Sequence, residues 1–135
     1  MTILDKIIAD KKREIELKKS IVSIKQLEIS DLFGRRTISL SESIKNSSGI
    51  IAEHKRRSPS KATINSSFSV EEVAKGYEEF GASGISVLTD SKYFGGSLED
   101  LQLARASVKT PLLRKEFVID EYQILEAKSN GADAI

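Results

Sequence analysis

Ile51-Ala52-Glu53-His54-Lys55-Arg56-Arg57-Ser58-Pro59-Ser60-Lys61 is the stretch on which the reading of the fold turns. It grows out of an apolar run, Gly49-Ile50-Ile51-Ala52-Glu53, then becomes basic and ends in a serine-proline turn. A short apolar run opened by a glycine is expected of a strand buried on both faces of a parallel sheet. Two more such runs follow: Gly84-Ile85-Ser86-Val87-Leu88-Thr89, and Pro111-Leu112-Leu113 leading into Arg114 and Lys115.

Between the runs lie segments with helix start signals. Ser69 with Glu72 at the capping-box position opens one, and Val70, Val73, Ala74 and Tyr77 form its apolar stripe. Ser97 opens the next, carrying Leu98, Leu101 and Ala104. Asp120 opens a third, with Gln123 at the box position and Asn130-Gly131 as its stop. Strand and helix therefore alternate, which predicts an α/β fold with a parallel sheet and crossover helices. Phe80-Gly81-Ala82-Ser83-Gly84-Ile85 and Asn130-Gly131-Ala132-Asp133-Ala134-Ile135 are similar to each other, each passing from a helix stop into a strand start. The second copy predicts the beginning of a fourth strand, and a chain end there reads as a truncation.

Working towards the N-terminus, Leu4, Ile7, Ile8, Ile15 and Leu17 recur at roughly helical spacing among many charges, as in an amphipathic helix over Leu4–Lys19. Ser23–Leu27 and Ser39–Ile44 read as shorter helical pieces on either side of a turn at Phe33-Gly34-Arg35-Arg36. Residues 1–48 are thus predicted to be a helical extension, and 49–135 the strand-helix repeats.

Composition narrows the function classes. The chain has 135 residues, 39% of them hydrophobic, enough for one modest core. Twenty-one Lys and Arg against twenty Asp and Glu leave a net charge of +1, so no nucleic-acid footprint is expected. The absence of cysteine excludes disulfides, thiolate zinc sites and cysteine nucleophiles, and His54, the sole histidine, excludes multi-histidine metal sites. No apolar run approaches the roughly 18 residues of a membrane span, and Asp5, Lys6 and Asp10 interrupt the place of a signal peptide. The expectation is a soluble, cytoplasmic protein without a membrane or nucleic-acid partner.

In parallel α/β folds the functional groups collect at the C-terminal ends of strands. Here those ends carry Glu53 and Lys55, then Lys115 and Glu116. Lysines beside carboxylates at a concave mouth can hold an anion, or donate a proton where burial and cationic neighbours lower the lysine's pKa. Charged residues at strand ends are more often solvated, so spacing alone leaves both readings open. The same holds for Ser58-Pro59-Ser60-Lys61, an anion-facing loop or an ordinary turn. It holds too for Tyr93-Phe94-Gly95-Gly96, an aromatic platform with a flexible glycine pair or a rim cap.

Taken together, three long segments in order resemble the indole-3-glycerol phosphate synthases: Ile51–Lys61, Ser86–Ser97 and Pro111–Ile124. The resemblance covers about Gly49 to Ile135, and the helical extension looks like the segment with which that family covers the barrel mouth. It implies a (βα)8 TIM barrel, here strands 1 to 3 and the start of strand 4, acting on an anthranilate-derived ribulose phosphate without cofactor or metal. It further implies that Lys115 is the general acid, that Lys55 contacts the substrate's anionic groups and that Glu53 orients the site. By the same resemblance Ser58 belongs to the substrate-binding loop, and Leu88, Phe94 and Phe117 hold the aromatic ring. Three positions depart from the family's usual pattern: His54 stands where an apolar residue is usual, Ala62 where glycine is common, and Glu116 where aspartate is commoner. A lone histidine at a strand end reads as a structural or rim residue.

A barrel of this kind needs roughly 200 to 250 residues, so the 135-residue chain alone is expected to turn over negligibly. A rival reading is a non-catalytic half-barrel that self-associates through open strand edges. Phosphoribosylanthranilate isomerase, a related barrel, fits the lysine-rich first segment and Arg114-Lys115-Glu116-Phe117 less well.

Overall fold

A computed structural model describes residues 1–135. Its elements run α1 (Ile3–Ile21), α2 (Ile24–Glu28), α3 (Leu40–Asn46), β1 (Ile51–His54), α4 (Val70–Glu79), β2 (Gly84–Leu88), α5 (Leu98–Ser107), β3 (Leu112–Lys115) and α6 (Glu121–Ser129). The strands form one parallel sheet in the order β1-β2-β3, with Glu53 beside Ser86 and Leu88 beside Lys115. Three consecutive βα units in sequential order are the opening part of the expected barrel. The fourth strand is also begun, since Ala134 bridges Leu113 in parallel and its carbonyl accepts from the Arg114 N–H at 2.9 Å.

The helices start where their caps lie. Ser69 and Asp120 close full capping boxes with Glu72 and Gln123, and the Ser97 hydroxyl accepts from the Asp100 N–H at 3.1 Å. Gly131, at φ +97°, takes the left-handed turn that ends α6.

Side chains alternate across each strand. Ala52, His54, Ile85, Val87, Leu112 and Arg114 face the helices. There Ile85, Val87 and Leu112 join Val70, Ala74, Leu101 and Ala104 in the main core. Ile51, Glu53, Ser86, Leu88, Leu113 and Lys115 face the other way, into the barrel interior. Burial on both faces, expected of all three runs, holds throughout β2 but fails in β1, where Ile51 is 42% exposed. The reason is positional: β1 lies at the sheet edge, with β2 as its one strand neighbour. The strand also begins at Ile51, two residues later than the apolar run.

The N-terminal helix corrects the predicted stripe. Leu4 and Leu17 are 50% and 62% exposed, while the buried face of α1 is Ile7, Lys11 and Ile15. These three recur every four residues, so the inward face includes a lysine. Ile15 packs with Leu27 and Tyr122 in a second small core, and the Tyr122 hydroxyl donates to the Val22 carbonyl at 2.8 Å. The extension is thereby fastened to α6.

His54 is a structural residue rather than a rim residue. It is 3% exposed, and neither ring nitrogen has a hydrogen-bond partner. Burial, and secondarily the Arg56 charge, hold its pKa below the usual histidine value, against the weaker pull of Asp100. The folded chain therefore keeps His54 neutral while the unfolded chain protonates it near pH 6.5. Below that pH the unfolded state binds more protons, so His54 makes stability fall as pH drops from about 6.5 through its depressed folded pKa. In His54→Leu, the urea midpoint should lose less between about pH 7.5 and about pH 5 than in the parent, by an amount set by this one titration. Parallel pH profiles in the two proteins would contradict the assignment.

Candidate active site

The C-terminal ends of β1 and β3 bring together two of the three charged residues singled out from the sequence, and the residue after β1 supplies the third. Glu53 is the hub. Its Oε2 accepts from the Lys115 ammonium at 2.9 Å and from the Ser86 hydroxyl at 3.1 Å, while Lys55 Nζ lies 3.1 Å from Oε1. Burial alone would push the Glu53 carboxyl up, but the hydrogen bonds from Lys115, Lys55 and Ser86 outweigh it and hold the pKa below the usual value. Glu53 is thus anionic at neutral pH and holds two ammonium groups at one place. It is itself held from behind, because the Tyr77 hydroxyl on α4 donates to the Glu53 carbonyl at 2.8 Å.

An open cleft of about 330 Å³ lies on this inward face, walled by residues that include Ile51, Glu53, Ser86, Leu113, Lys115 and Ile135. Beside it is a smaller cavity of about 80 Å³ formed by Leu88, Asp90, Phe94, Lys115, Glu116 and Phe117. Lys115 lines both. The rings of Phe94 and Phe117 stand 6.0 Å apart at 40°, so an apolar slot adjoins the charged cluster. The Lys115 side chain is 56% exposed.

The glycine pair after Phe94 is fixed rather than flexible. Gly95 adopts φ +68°, and a Cβ on Gly96 would fall 2.1 Å from the Leu88 carbonyl oxygen. Gly96 donates to the Asp90 carbonyl at 2.8 Å, which folds the loop back on β2 and sets where Phe94 stands.

Ser58 is not drawn into the cluster. Its hydroxyl accepts from the Lys61 N–H at 3.2 Å, its backbone pairs with Lys61 in a tight turn, and it lines neither cavity. Ala62 is exposed in the same loop and has no positive φ, so no glycine is demanded there. The next basic residue, Arg56, forms a bidentate pair with Asp100 on α5 and also donates to the Gly95 carbonyl at 3.2 Å. The first loop is thereby fastened to the second.

Behind the site lies an ionic layer that sequence reasoning missed. Lys11 reaches Asp90 at 2.8 Å and Glu116 at 3.2 Å. Arg114, 2% exposed, donates to Thr89 Oγ1 at 3.0 Å, the Gln123 carbonyl at 2.9 Å and Glu126 Oε1 at 2.9 Å. The available signal was a lysine spaced four residues from Ile7 and from Ile15 on one helix face.

The family model described as indole-3-glycerol phosphate synthase matches residues 4–135. Curated relatives bear the same name. The one from Bacteroides thetaiotaomicron is 48% identical over 98% of this chain and 52% of its own length. The one from Leptospira interrogans is 49% identical over 87% and 49%, and that from Paenarthrobacter aurescens 44% identical over 100% and 52%. The chain spans about half the length of these relatives. No helix is long and apolar enough to cross a membrane.

Proposed function

The chain belongs to the indole-3-glycerol phosphate synthase family, and on that premise we propose that it supplies the first part of the active-site mouth of a barrel making indole-3-glycerol phosphate. The substrate is 1-(2-carboxyphenylamino)-1-deoxyribulose 5-phosphate. The observation that carries the proposal is the Glu53 hub, which holds Lys115 and Lys55 beside the Leu88-Phe94-Phe117 slot.

The reaction needs an aromatic carbon brought against a ketone carbon and a proton for the ketone oxygen. The slot holds the anthranilate ring, and Lys115 lies at its edge, where it donates the proton as the new carbon–carbon bond forms. Loss of the ring carboxylate as CO2 and of the former ketone oxygen as water then completes the pyrrole. Lys55 meets the substrate's anionic groups, Glu53 orients both ammonium groups and Ser58 belongs to the substrate-binding loop. Residues 1–48 form the N-terminal helical extension and residues 49–135 the barrel portion.

The test is a complete barrel beginning with these 135 residues, assayed for the fluorescence of the indole product. Turnover is expected, and a folded barrel that makes no indole sinks the proposal. In the same assay, Glu53→Gln loosens both lysines and should lower kcat by about ten- to a hundredfold, the scale of misplacing a reacting group by about 1 Å. An unchanged kcat would remove Glu53 from its orienting role.

A further inference from the structure

Lys11 stands where α1 meets the ends of two strands. Its side chain is 3% exposed, and its ammonium is shared by Glu14 at 2.6 Å, Asp90 at 2.8 Å and Glu116 at 3.2 Å. Two of these carboxylates have a second task. Asp90 lies just past β2, and its Oδ2 accepts from the Tyr93 N–H at 2.8 Å, fixing the turn that presents Phe94. Glu116 follows β3; its Oε1 accepts from the Phe117 N–H at 2.8 Å and its Oε2 from the Thr89 hydroxyl at 2.8 Å. Phe94 and Phe117 touch each other and line the apolar slot side by side, so one ammonium on the N-terminal helix ties together the loops that bear them.

The charges make this tie specific. The Asp90 and Glu116 side chains are 5% and 2% exposed, and two anions so deeply buried repel each other unless a cation lies between them. Arg114 Nη2 approaches Glu116 at 3.7 Å, whereas the ion-pair partner of Asp90 is Lys11. Without Lys11 the two carboxylates would part or draw in water, and the turns fixed by their other oxygens would move with them.

We propose that Lys11 is a positioning residue for the aromatic slot, holding the Phe94 and Phe117 loops, through Asp90 and Glu116, at the spacing that grips the substrate's ring. The inference rests on the reading of that slot as the ring site. Lys11 touches no reacting atom, so its effect falls on the grip rather than on the proton transfer.

Two readouts on the complete barrel test it: KM and kcat for indole formation, and binding of anthranilate alone, titrated by its own fluorescence. Lys11→Met should raise KM and weaken anthranilate binding by about tenfold, with kcat held within about threefold. Lys11→Arg, which keeps the charge, should recover most of the loss. Glu14→Gln removes a carboxylate that fixes neither loop and should leave KM and anthranilate binding unchanged. Unchanged binding in Lys11→Met, or an equal loss in Glu14→Gln, would overturn the proposal in favour of general helix docking. If Lys11→Met does not fold, Lys11→Gln retains a donor without the charge and takes its place; failure of both to fold would make Lys11 a structural residue and end the proposal. An unsubstituted barrel that binds anthranilate but makes no indole would sink the reaction and leave the slot and its anchor standing.

Discussion

Lys115→Ala in the complete barrel should lower kcat for indole formation by about 10²- to 10⁴-fold, the range for loss of a positioned general acid. Lys115 meets the two geometric demands on that role. It borders both the charged cleft and the aromatic slot, and Glu53 Oε2 holds its ammonium at 2.9 Å. Its side chain is on the inward face and 56% exposed, so the substitution removes no core packing and the variant should fold as the parent does. The check is single-turnover product fluorescence against pH, with circular dichroism to establish the fold. A loss below about threefold would remove Lys115 from the chemistry and return it to the solvated strand-end lysines.

The second large effect concerns folding. Asp133 has a side chain with no exposed surface and accepts from four donors: Arg35 at 2.7 Å, Arg105 at 2.6 Å and the backbone N–H groups of Ile38 at 2.8 Å and Leu112 at 2.9 Å. These donors lie between α2 and α3, on α5 and at the start of β3, so one carboxylate joins the helical extension to the barrel portion. Burial alone would push its pKa up, but the Ile38 and Leu112 N–H groups, with Arg35 and Arg105 behind them, hold it below the usual aspartate value. Asp133→Asn leaves two arginines facing each other with no anion between them. The expected cost is about 3–5 kcal/mol, as for other broken buried pairs, read from urea unfolding followed by circular dichroism. The sign of the pH dependence follows from the depressed folded pKa: the stabilisation is present above about pH 4 and is lost as pH falls through the folded value. That acid limb should flatten in the asparagine variant. A cost under about 1 kcal/mol would mean that the arginines find other partners.

Local features were legible in the sequence where local physics decides them. The capping boxes at Ser69 and Asp120, the stop at Gly131 and the strand-helix alternation depend on neighbours a few residues apart, and the structure has each of them. Glu53, Lys55 and Lys115 were within reach for the same reason, because strand ends in a parallel sheet share one rim. The Lys11 and Asp133 networks were not legible. Each is a meeting of residues far apart in the chain, and a charge read in isolation is assigned to solvent. Lys11 carried a faint mark, its four-residue spacing from Ile7 and Ile15, which an apolar tally passes over. For His54 the sequence left a structural and a rim place open, and strand alternation, which turns it towards the helices, decides for the first.

That alternation also governs how such a protein can change over evolutionary time. In β1, β2 and β3 neighbouring letters of the sequence serve different masters: Glu53, Ser86, Leu88 and Lys115 look into the cleft, while His54, Val87 and Leu112 look into the helical layer. A point mutation on one set alters what the cleft recognises and leaves the helical layer almost untouched; on the other it shifts thermal tolerance with the chemistry unchanged. Selection for a new substrate and selection for a warmer habitat can therefore proceed side by side in the same short strands, on interleaved positions that seldom compete.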